Sequence, residues 1–334
     1  MYYVYLVAII ASVSRETQGL DCSNVSRETF FIKKMVSVKN TVESEKQFVV
    51  DLLTTLRQEK FSPRGWWCFF RRSWEMSCKT ANDNPTLKRS WVLTTLLIAT
   101  LAVAMILFNF LLEGAERTLR FLPGFLFCVA WQQSDVLWHL GLNRQTQTGK
   151  LFPTLGLANV FTWLRGLGAS YLLGRLVGGL STASWLALVV FIGGIATDIL
   201  DGQIARAAQT DSKLGQIGDA EADFCLYLAI TIILIQNAVL PLWLGVVMLL
   251  RFCIPFLAVL ASYFLLAHPV RFGSTSWGKY AGLAQCLYFL VLLAPSQLVP
   301  VIQFANLPLL AVTLILLITA PLAQIVENVR AARA

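Results

Sequence analysis

Four aspartates have the types and spacing of a site for a divalent metal ion: Asp198, Asp201, Asp219 and Asp223. Residues three or four apart share one face of a helix, so each pair is expected on a single helix face. The pairs stand at the facing ends of two apolar segments joined by a short polar turn, which lets them converge. Carboxylates are preferred ligands of Mg²⁺ and Mn²⁺. The spacing therefore predicts one or two such ions, an arrangement used in phosphoryl displacement.

The apolar surroundings support a metal site, because they make unpaired carboxylates costly. An acidic residue near the middle of a membrane costs about 2.5–3.5 kcal/mol on insertion scales. Four converging carboxylates also repel one another unless cations neutralise them. The chain has only two histidines, which excludes a histidine-rich site. Gly202 and Ala205 leave room for a base or a pyrophosphate, and the planar fork of Arg206 suits a phosphate.

Together these residues form the pattern D-x2-D-G-x2-A-R-x8-G-x3-D-x3-D, which includes Gly215 between the two aspartate pairs. The pattern resembles the signature of the CDP-alcohol phosphotransferase family, also called CDP-alcohol phosphatidyltransferases, with no departure in residue or spacing. The resemblance covers residues 153–330.

The resemblance implies a dimeric core of six membrane helices with its catalytic cavity at the cytoplasmic face. It implies that Asp198, Asp201 and Asp219, with a contribution from Asp223, hold the metal ions that bind the CDP diphosphate. Asp223 is expected to take the proton of the acceptor hydroxyl. The CDP pocket is expected to be shaped by Gly202, Ala205, Arg206 and Gly215.

A second segment, LANVFTWLR at 157–165, is similar to the family's PN-x-x-T-x-x-R opening of the first core helix. Asn159, Thr162 and Arg165 match, whereas Ala158 replaces the proline. Asn159, Thr162 and Arg165 are expected on one helix face near the CDP site.

A third segment, SWGKYAGLAQ at 276–285, resembles the GKWKTxxQ stretch of phosphatidylglycerophosphate synthase-like members. Gly278, Lys279 and Gln285 match. Ala281 and Gly282 stand where that subgroup has lysine and threonine, which argues against glycerol phosphate as the acceptor.

Three cations are candidates for binding a phosphate of the acceptor. Arg251 lies inside an apolar segment, where an arginine is costly unless it faces a cavity. Lys279 and Arg271 follow it along the chain. These cations favour a phosphorylated acceptor, such as glycerol phosphate or inositol phosphate, with CDP-diacylglycerol as donor.

Composition places the chain in a membrane. Of 334 residues 56% are hydrophobic and 14% charged, with a mean hydropathy of +0.64. A soluble domain carries about a quarter charged residues. The net charge of +8 fits basic cytoplasmic loops that meet anionic lipid. No soluble nucleic-acid module is visible, so we expect no nucleic acid partner.

Apolar segments of spanning length predict an all-α polytopic membrane protein. They occur at roughly 92–112, 158–180, 184–201, 218–237, 240–266, 277–299 and 306–326, with a more polar candidate at 119–141. The basic segments 60–91 and 143–157 are both expected in the cytoplasm, so an even number of crossings separates them. The sequence thus predicts eight spans with both ends cytoplasmic.

This topology divides the chain into three parts: a cytoplasmic and membrane-interface region at 1–91, a membrane hairpin at 92–142 and a six-span core at 143–334. In the first part, residues 42–58 have amphipathic helical spacing. Residues 61–74 mix tryptophans with arginines, which suits either a helix in the headgroup layer or a Trp-rich packing surface. In the hairpin, Asp135 and His139 are expected to face protein.

Two other functions fit some of these features. CDP-choline or CDP-ethanolamine could donate to diacylglycerol with the same chemistry. A cation transporter could use the intramembrane aspartates for its ion. Against a transporter, the aspartates stand at helix ends and not at the midplane, where transporter sites lie.

Overall fold

The computed structural model describes residues 51–145, 148–264, 276–294, 306–320 and 323. Regular secondary structure in these ranges is helical, in agreement with the expected all-α class. The helices in chain order are α1 (Pro63–Asp83), α2 (Pro85–Trp138), α3 (Leu157–Val177), α4 (Ser184–Ala208), α5 (Lys213–Gln236), α6 (Leu242–Phe264), α7 (Ser276–Leu293) and α8 (Asn306–Ala320). A short 3₁₀ helix at Leu140–Leu142 follows α2, and residues 51–58 are also helical.

Helix α2 folds back on itself at Gly114. The φ angle of Gly114 is 81°, in the left-handed region that favours glycine. Thr95 Oγ1 donates to Gln133 Oε1 at 3.0 Å, and these two residues lie equally far before and after Gly114. The helix is therefore a hairpin. Its turn lies in the connection expected between 92–112 and 119–141.

Two of the described helices, α2 and α4, are long and apolar enough to cross a membrane by length and composition. Shorter apolar stretches occur at Leu242–Ile254, Trp277–Leu293 and Asn306–Ala320. The hairpin also presents large apolar side chains outward, with Leu111 81% exposed, as lipid-facing residues would be. The number of spans, the orientation and the three domain boundaries stay predictions.

Helix α3 is the centre of the described structure and packs against α2, α4 and α5. Small residues allow its close approach to the hairpin. A Cβ atom on Gly174 would lie 2.7 Å from Phe125 Cβ, and one on Gly124 would lie 2.7 Å from Val177 Cβ. These distances are too short for real contacts. Glycines let the backbones of α2 and α3 meet, as is common between membrane helices.

A buried polar network ties the turn of the hairpin to the C-terminal end of α3. The Arg175 side chain is 2% exposed. Its guanidinium donates to Asn109 Oδ1 and Glu113 Oε1, each at 2.9 Å, and to the Ser181 carbonyl at 2.6 Å. Tyr171 Oη donates to the same Asn109 oxygen at 3.2 Å. Because a buried guanidinium is stable only when it is paired, this network fixes the hairpin against the helix that follows it.

Helix α1 packs on the end of the hairpin through small and aromatic side chains. Ser77 Oγ donates to the Trp138 carbonyl at 2.6 Å, and Trp138 Nε1 donates to Ser73 Oγ at 3.0 Å. Phe70 and Trp74 contact the Trp138 ring. Part of the aromatic segment is thus a packing surface. Trp67 is 72% exposed, and its place in the headgroup layer stays a prediction.

Candidate active site

A tight turn joins the two helices that carry the aspartate pairs. Helix α4 ends at Ala208. The next residue, Gln209, has a left-handed φ of 52°, which lets Thr210 N donate to the Ala205 carbonyl at 2.9 Å. Helix α5 begins after Ser212, whose Oγ accepts from Gly215 N at 3.0 Å, an N-cap. The turn reverses the chain and sets the end of α4 beside the start of α5.

Three carboxylates form a compact group at this junction. One oxygen from each of Asp198, Asp201 and Asp219 lies within 4.8 Å of the others. The side chain of Asp201 is 10% exposed, whereas those of Asp198 and Asp219 are 51% and 44% exposed. An open set of hard oxygen donors fits Mg²⁺, which keeps several water or phosphate ligands. The three residues therefore fit the predicted metal ions.

Arg165 of α3 stands in the middle of all four aspartates. Its Nη1 is 2.8 Å from Asp198 Oδ1 and its Nη2 is 3.4 Å from Asp201 Oδ2. Nη2 also pairs with Asp219, and Nε is 3.2 Å from Asp223 Oδ1. The side chain is 1% exposed. One positive charge faces four carboxylates, so the site still favours additional cations.

Arg165 was expected on the helix face near the CDP site, but its role as the partner of all four aspartates was not predicted. A signal for that role was present. Arg165 follows Thr162 by three residues, which puts both on one face of α3. An arginine in such an apolar helix is costly unless acidic groups pair with it.

Asp223 stands slightly apart from the other aspartates. It lies outside the group of three carboxylates, its side chain is 34% exposed, and it meets the cluster through Arg165 Nε. This separation is compatible with a base distinct from the metal ligands. Its roles as base and as fourth ligand stay predictions.

Two of the residues expected at the CDP site lie at the start of α3 beside the cluster. Thr162 Oγ1 donates to Asp201 Oδ2 at 2.8 Å. A Cβ atom on Gly215 would lie 2.6 Å from Asn159 Oδ1, so the glycine lets the Asn159 amide approach the first turn of α5. Thr162 and Asn159 are 3% and 6% exposed.

The remaining CDP candidates follow Asp201 along α4. Arg206 is exposed, and its Nη1 lies 3.3 Å from the position of a Cβ on Gly202. The missing side chain lets the guanidinium lie across the helix. Ala205 is half-buried. All three share one face of α4 by their spacing, and their contact with nucleotide stays a prediction.

Of the three acceptor candidates, Arg251 is the best defined. It donates to Gln285 Oε1 at 3.1 Å and to the Gly278 carbonyl at 3.3 Å. A Cβ on Gly282 would lie 2.6 Å from Arg251 Nη2, so the threonine of the compared subgroup would displace this arginine.

The other two acceptor candidates are less constrained by structure. Lys279 is exposed on α7. Arg271 lies outside the described residues. Acceptor binding stays a prediction for all three cations.

Asp135 and His139 face protein, as expected. The side chains are 13% and 2% exposed, and His139 Nδ1 lies 2.9 Å from Asp135 Oδ2. Neither belongs to the group of three carboxylates formed by Asp198, Asp201 and Asp219.

The second half of the chain matches a known protein family. The family model of CDP-alcohol phosphatidyltransferases matches residues 155–322, half of the chain. A cardiolipin synthase (CMP-forming) of Streptomyces coelicolor is 38% identical over 74 residues, which are 22% of this chain and 34% of that protein. The chain thus matches about a third of that relative's length. No solved structure matches the chain.

Proposed function

Because the chain belongs to the CDP-alcohol phosphatidyltransferase family, we propose that it transfers a phosphatidyl group from CDP-diacylglycerol to a hydroxyl of a small phosphorylated polyol. CMP is the leaving group. The observation that carries the proposal is the group of three carboxylates, Asp198, Asp201 and Asp219, within 4.8 Å of one another. The five other residues of the family pattern lie on the same two helices: Gly202, Ala205, Arg206, Gly215 and Asp223.

In this proposal Asp198, Asp201 and Asp219 hold Mg²⁺ or Mn²⁺. A divalent ion there supplies neutralisation of the diphosphate charge as the bond to CMP breaks. Arg165 keeps the carboxylates together from within the protein, since it pairs with each of them. Arg206, exposed beside Gly202, offers two parallel donors to a phosphate. Asn159, Thr162, Ala205 and Gly215 border the nucleotide.

The chemical step exchanges the phosphoanhydride bond of the CDP-lipid for a phosphate ester bond to the acceptor. The acceptor oxygen bonds to the phosphorus that carries diacylglycerol, and the bond from that phosphorus to the CMP oxygen breaks. The acceptor proton passes to Asp223, which lies beside the metal-binding group and is partly exposed. The products are the phosphatidylated acceptor and CMP.

The acceptor phosphate is assigned to the cations of the second half of the core. Arg251 is held by Gln285 and the Gly278 carbonyl, which brings α6 and α7 together. Lys279 and Arg271 are proposed to bind the same phosphate. We infer a homodimer in the membrane with the site at the cytoplasmic face, which rests on the family resemblance and on the basic loops.

A second acceptor is favoured by the similarity to the Streptomyces coelicolor cardiolipin synthase (CMP-forming). Cardiolipin carries two phosphatidyl groups on one glycerol, so the acceptor would then be phosphatidylglycerol. The chemistry and the donor stay the same. Only the acceptor-binding site differs, because a lipid acceptor would enter it from the bilayer.

The test is a matrix of donors and acceptors with purified protein in detergent and Mg²⁺. CDP-diacylglycerol is paired with glycerol phosphate, inositol phosphate and phosphatidylglycerol, and CDP-choline and CDP-ethanolamine are paired with diacylglycerol. We expect CMP release only with CDP-diacylglycerol and one of its acceptors. CMP release only from CDP-choline or CDP-ethanolamine, or from no donor, would overturn the proposal.

A further inference from the structure

Gln132, in the half of the hairpin that follows Gly114, reaches into α3 beside Arg165. Its Nε2 donates to the Trp163 carbonyl at 3.1 Å. A Cβ atom on Gly166 would collide with the same nitrogen, so any side chain at that position would displace the Gln132 amide. The contact therefore depends on a glycine that directly follows Arg165 in the chain.

Packing alone does not explain a glutamine at position 132. A carbonyl inside a helix already accepts from the backbone amide four residues on, so the Trp163 carbonyl needs no further donor. Gln132 Oε1 is buried and has no hydrogen-bond partner among the described residues, which is unfavourable. A methionine would fill the same length without a buried polar oxygen. Glycine inside a helix is also less favourable than alanine. Both unfavourable choices lie beside Arg165, which indicates a role in placing this part of α3.

A second contact joins the other end of α3 to the hairpin. Arg175 donates to Asn109 and Glu113, which precede the turn of the hairpin. Trp163 and Arg175 are separated by about 18 Å along the helix axis. Two contacts at this separation define both the height and the rotation of α3 against the hairpin.

The rotation of α3 decides where the guanidinium of Arg165 lies. That group pairs with carboxylates of two other helices, Asp198 on α4 and Asp219 on α5, and α3 packs against both helices. A helix with its side chains has a radius of about 5–6 Å, so a rotation of about 20° moves the end of a side chain by about 2 Å. Such a displacement exceeds the range of hydrogen-bond lengths. Arg165 can therefore meet both sets of carboxylates only over a narrow range of rotation.

We propose that Gln132 is a positioning residue for Arg165. Its amide, received at Gly166, fixes the rotation of α3 at which one guanidinium pairs with the carboxylates of both α4 and α5. Gln132 precedes the residues that the family model matches, so a part of the chain outside the family domain sets this geometry. The inference rests on the proposed function, because the same carboxylates form its metal site.

Two variants break the contact from opposite sides. Gln132→Met removes the donor and keeps the length of the side chain, and Gly166→Ala adds the methyl group that displaces the amide. Each is made in the unmodified protein and in Arg165→Met, and the Tm is measured in detergent without divalent ions. Each variant should lower the Tm by about 3–6 °C more in the unmodified protein than in Arg165→Met, roughly half of the fall expected for loss of Arg165 itself. The reason is that Arg165→Met leaves no guanidinium to misplace.

Gln133→Met and Gly193→Ala are the matched controls. Gln133 bonds Thr95 within the hairpin, and a Cβ atom on Gly193 would meet nothing within 4 Å. Each control should change the Tm equally in the two backgrounds, to within about 1 °C, as independent sites do.

Equal Tm changes in the two backgrounds for both Gln132→Met and Gly166→Ala would show that the contact only packs the helices, and would overturn the inference. If Arg165→Met does not fold, Arg165→Lys is the second background. The difference between backgrounds should then be about half as large, and its absence would refute the inference equally. None of these measurements needs turnover or a metal ion, so failure of the proposed reaction and failure of this inference are distinguishable.

Discussion

Replacing Arg165 by methionine should destabilise the protein most when divalent ions are absent. Removal of one partner from a buried ion pair costs about 3–5 kcal/mol. The side chain of Arg165 is 1% exposed, but three of its four partners are between 34% and 51% exposed, and water screens those charges. We therefore expect the lower end, about 3 kcal/mol. At about 2–4 °C per kcal/mol, the Tm should fall by about 6–12 °C.

Divalent ions should recover much of this loss, because they supply positive charge to the same carboxylates. The assay is thermal unfolding in detergent, followed by intrinsic tryptophan fluorescence, with and without saturating Mg²⁺. The rise in Tm on adding Mg²⁺ should be larger for Arg165→Met than for the unmodified protein. Arg165→Lys keeps the charge without the planar fork and should lose about half as much. A methionine variant with an unchanged Tm and an unchanged response to Mg²⁺ would refute the reasoning.

Three further predictions concern the reaction and the topology. Asp223→Asn should lower kcat far more than it weakens CDP binding, measured by steady-state kinetics and CMP inhibition; a proportional fall of both would make Asp223 chiefly a metal ligand. Arg251→Ala and Lys279→Ala should raise the KM of the acceptor much more than that of the donor, and the opposite selectivity would place them in the donor pocket. A cysteine at Gly114 should react only with reagents added from outside, and one at Gln147 only after permeabilisation; labelling of both from one side would exclude a membrane-crossing hairpin.

The local elements of the fold were predictable because they depend on short-range patterns. The spacing of Asp198, Asp201, Asp219 and Asp223 defined two helix faces, and the turn between them contains the residues that reverse the chain. The hairpin was predictable because the basic segments 60–91 and 143–157 are both expected in the cytoplasm, and two stretches of spanning length lie between them. Gly114 marks its turn, since its φ of 81° is strained for other residues.

The contacts between helices were not predictable in the same way. Arg165 meets aspartates that lie 33 to 54 residues away in its hydrogen-bonded pairs, and only the packing of α3 against α4 and α5 brings them together. The pairing of Arg175 was not predictable for the same reason, because its partners Asn109 and Glu113 lie in the hairpin. Sequence spacing shows which residues share a helix face, whereas the partners of those residues depend on which helix faces pack together.

Gly282, which stands where the compared subgroup has threonine, leaves room for the side chain of Arg251. From the sequence it was only a mismatch to threonine. In the structure a side chain there would stand 2.6 Å from Arg251 Nη2. A side chain at position 282 would therefore require Arg251 to move.

The proposed function requires the converging carboxylates for metal-dependent transfer with release of CMP. Its most direct test is CMP formation from CDP-diacylglycerol and the preferred acceptor by purified Asp219→Asn at saturating Mg²⁺. Asp211→Asn, at an exposed position of the turn where the pattern specifies no residue, is the matched control. We expect the rate to fall by at least about 10²–10³-fold for Asp219→Asn, as for loss of one electrostatic group at a reacting centre, and to be unchanged for Asp211→Asn. Normal CMP formation by a folded Asp219→Asn protein would contradict the account.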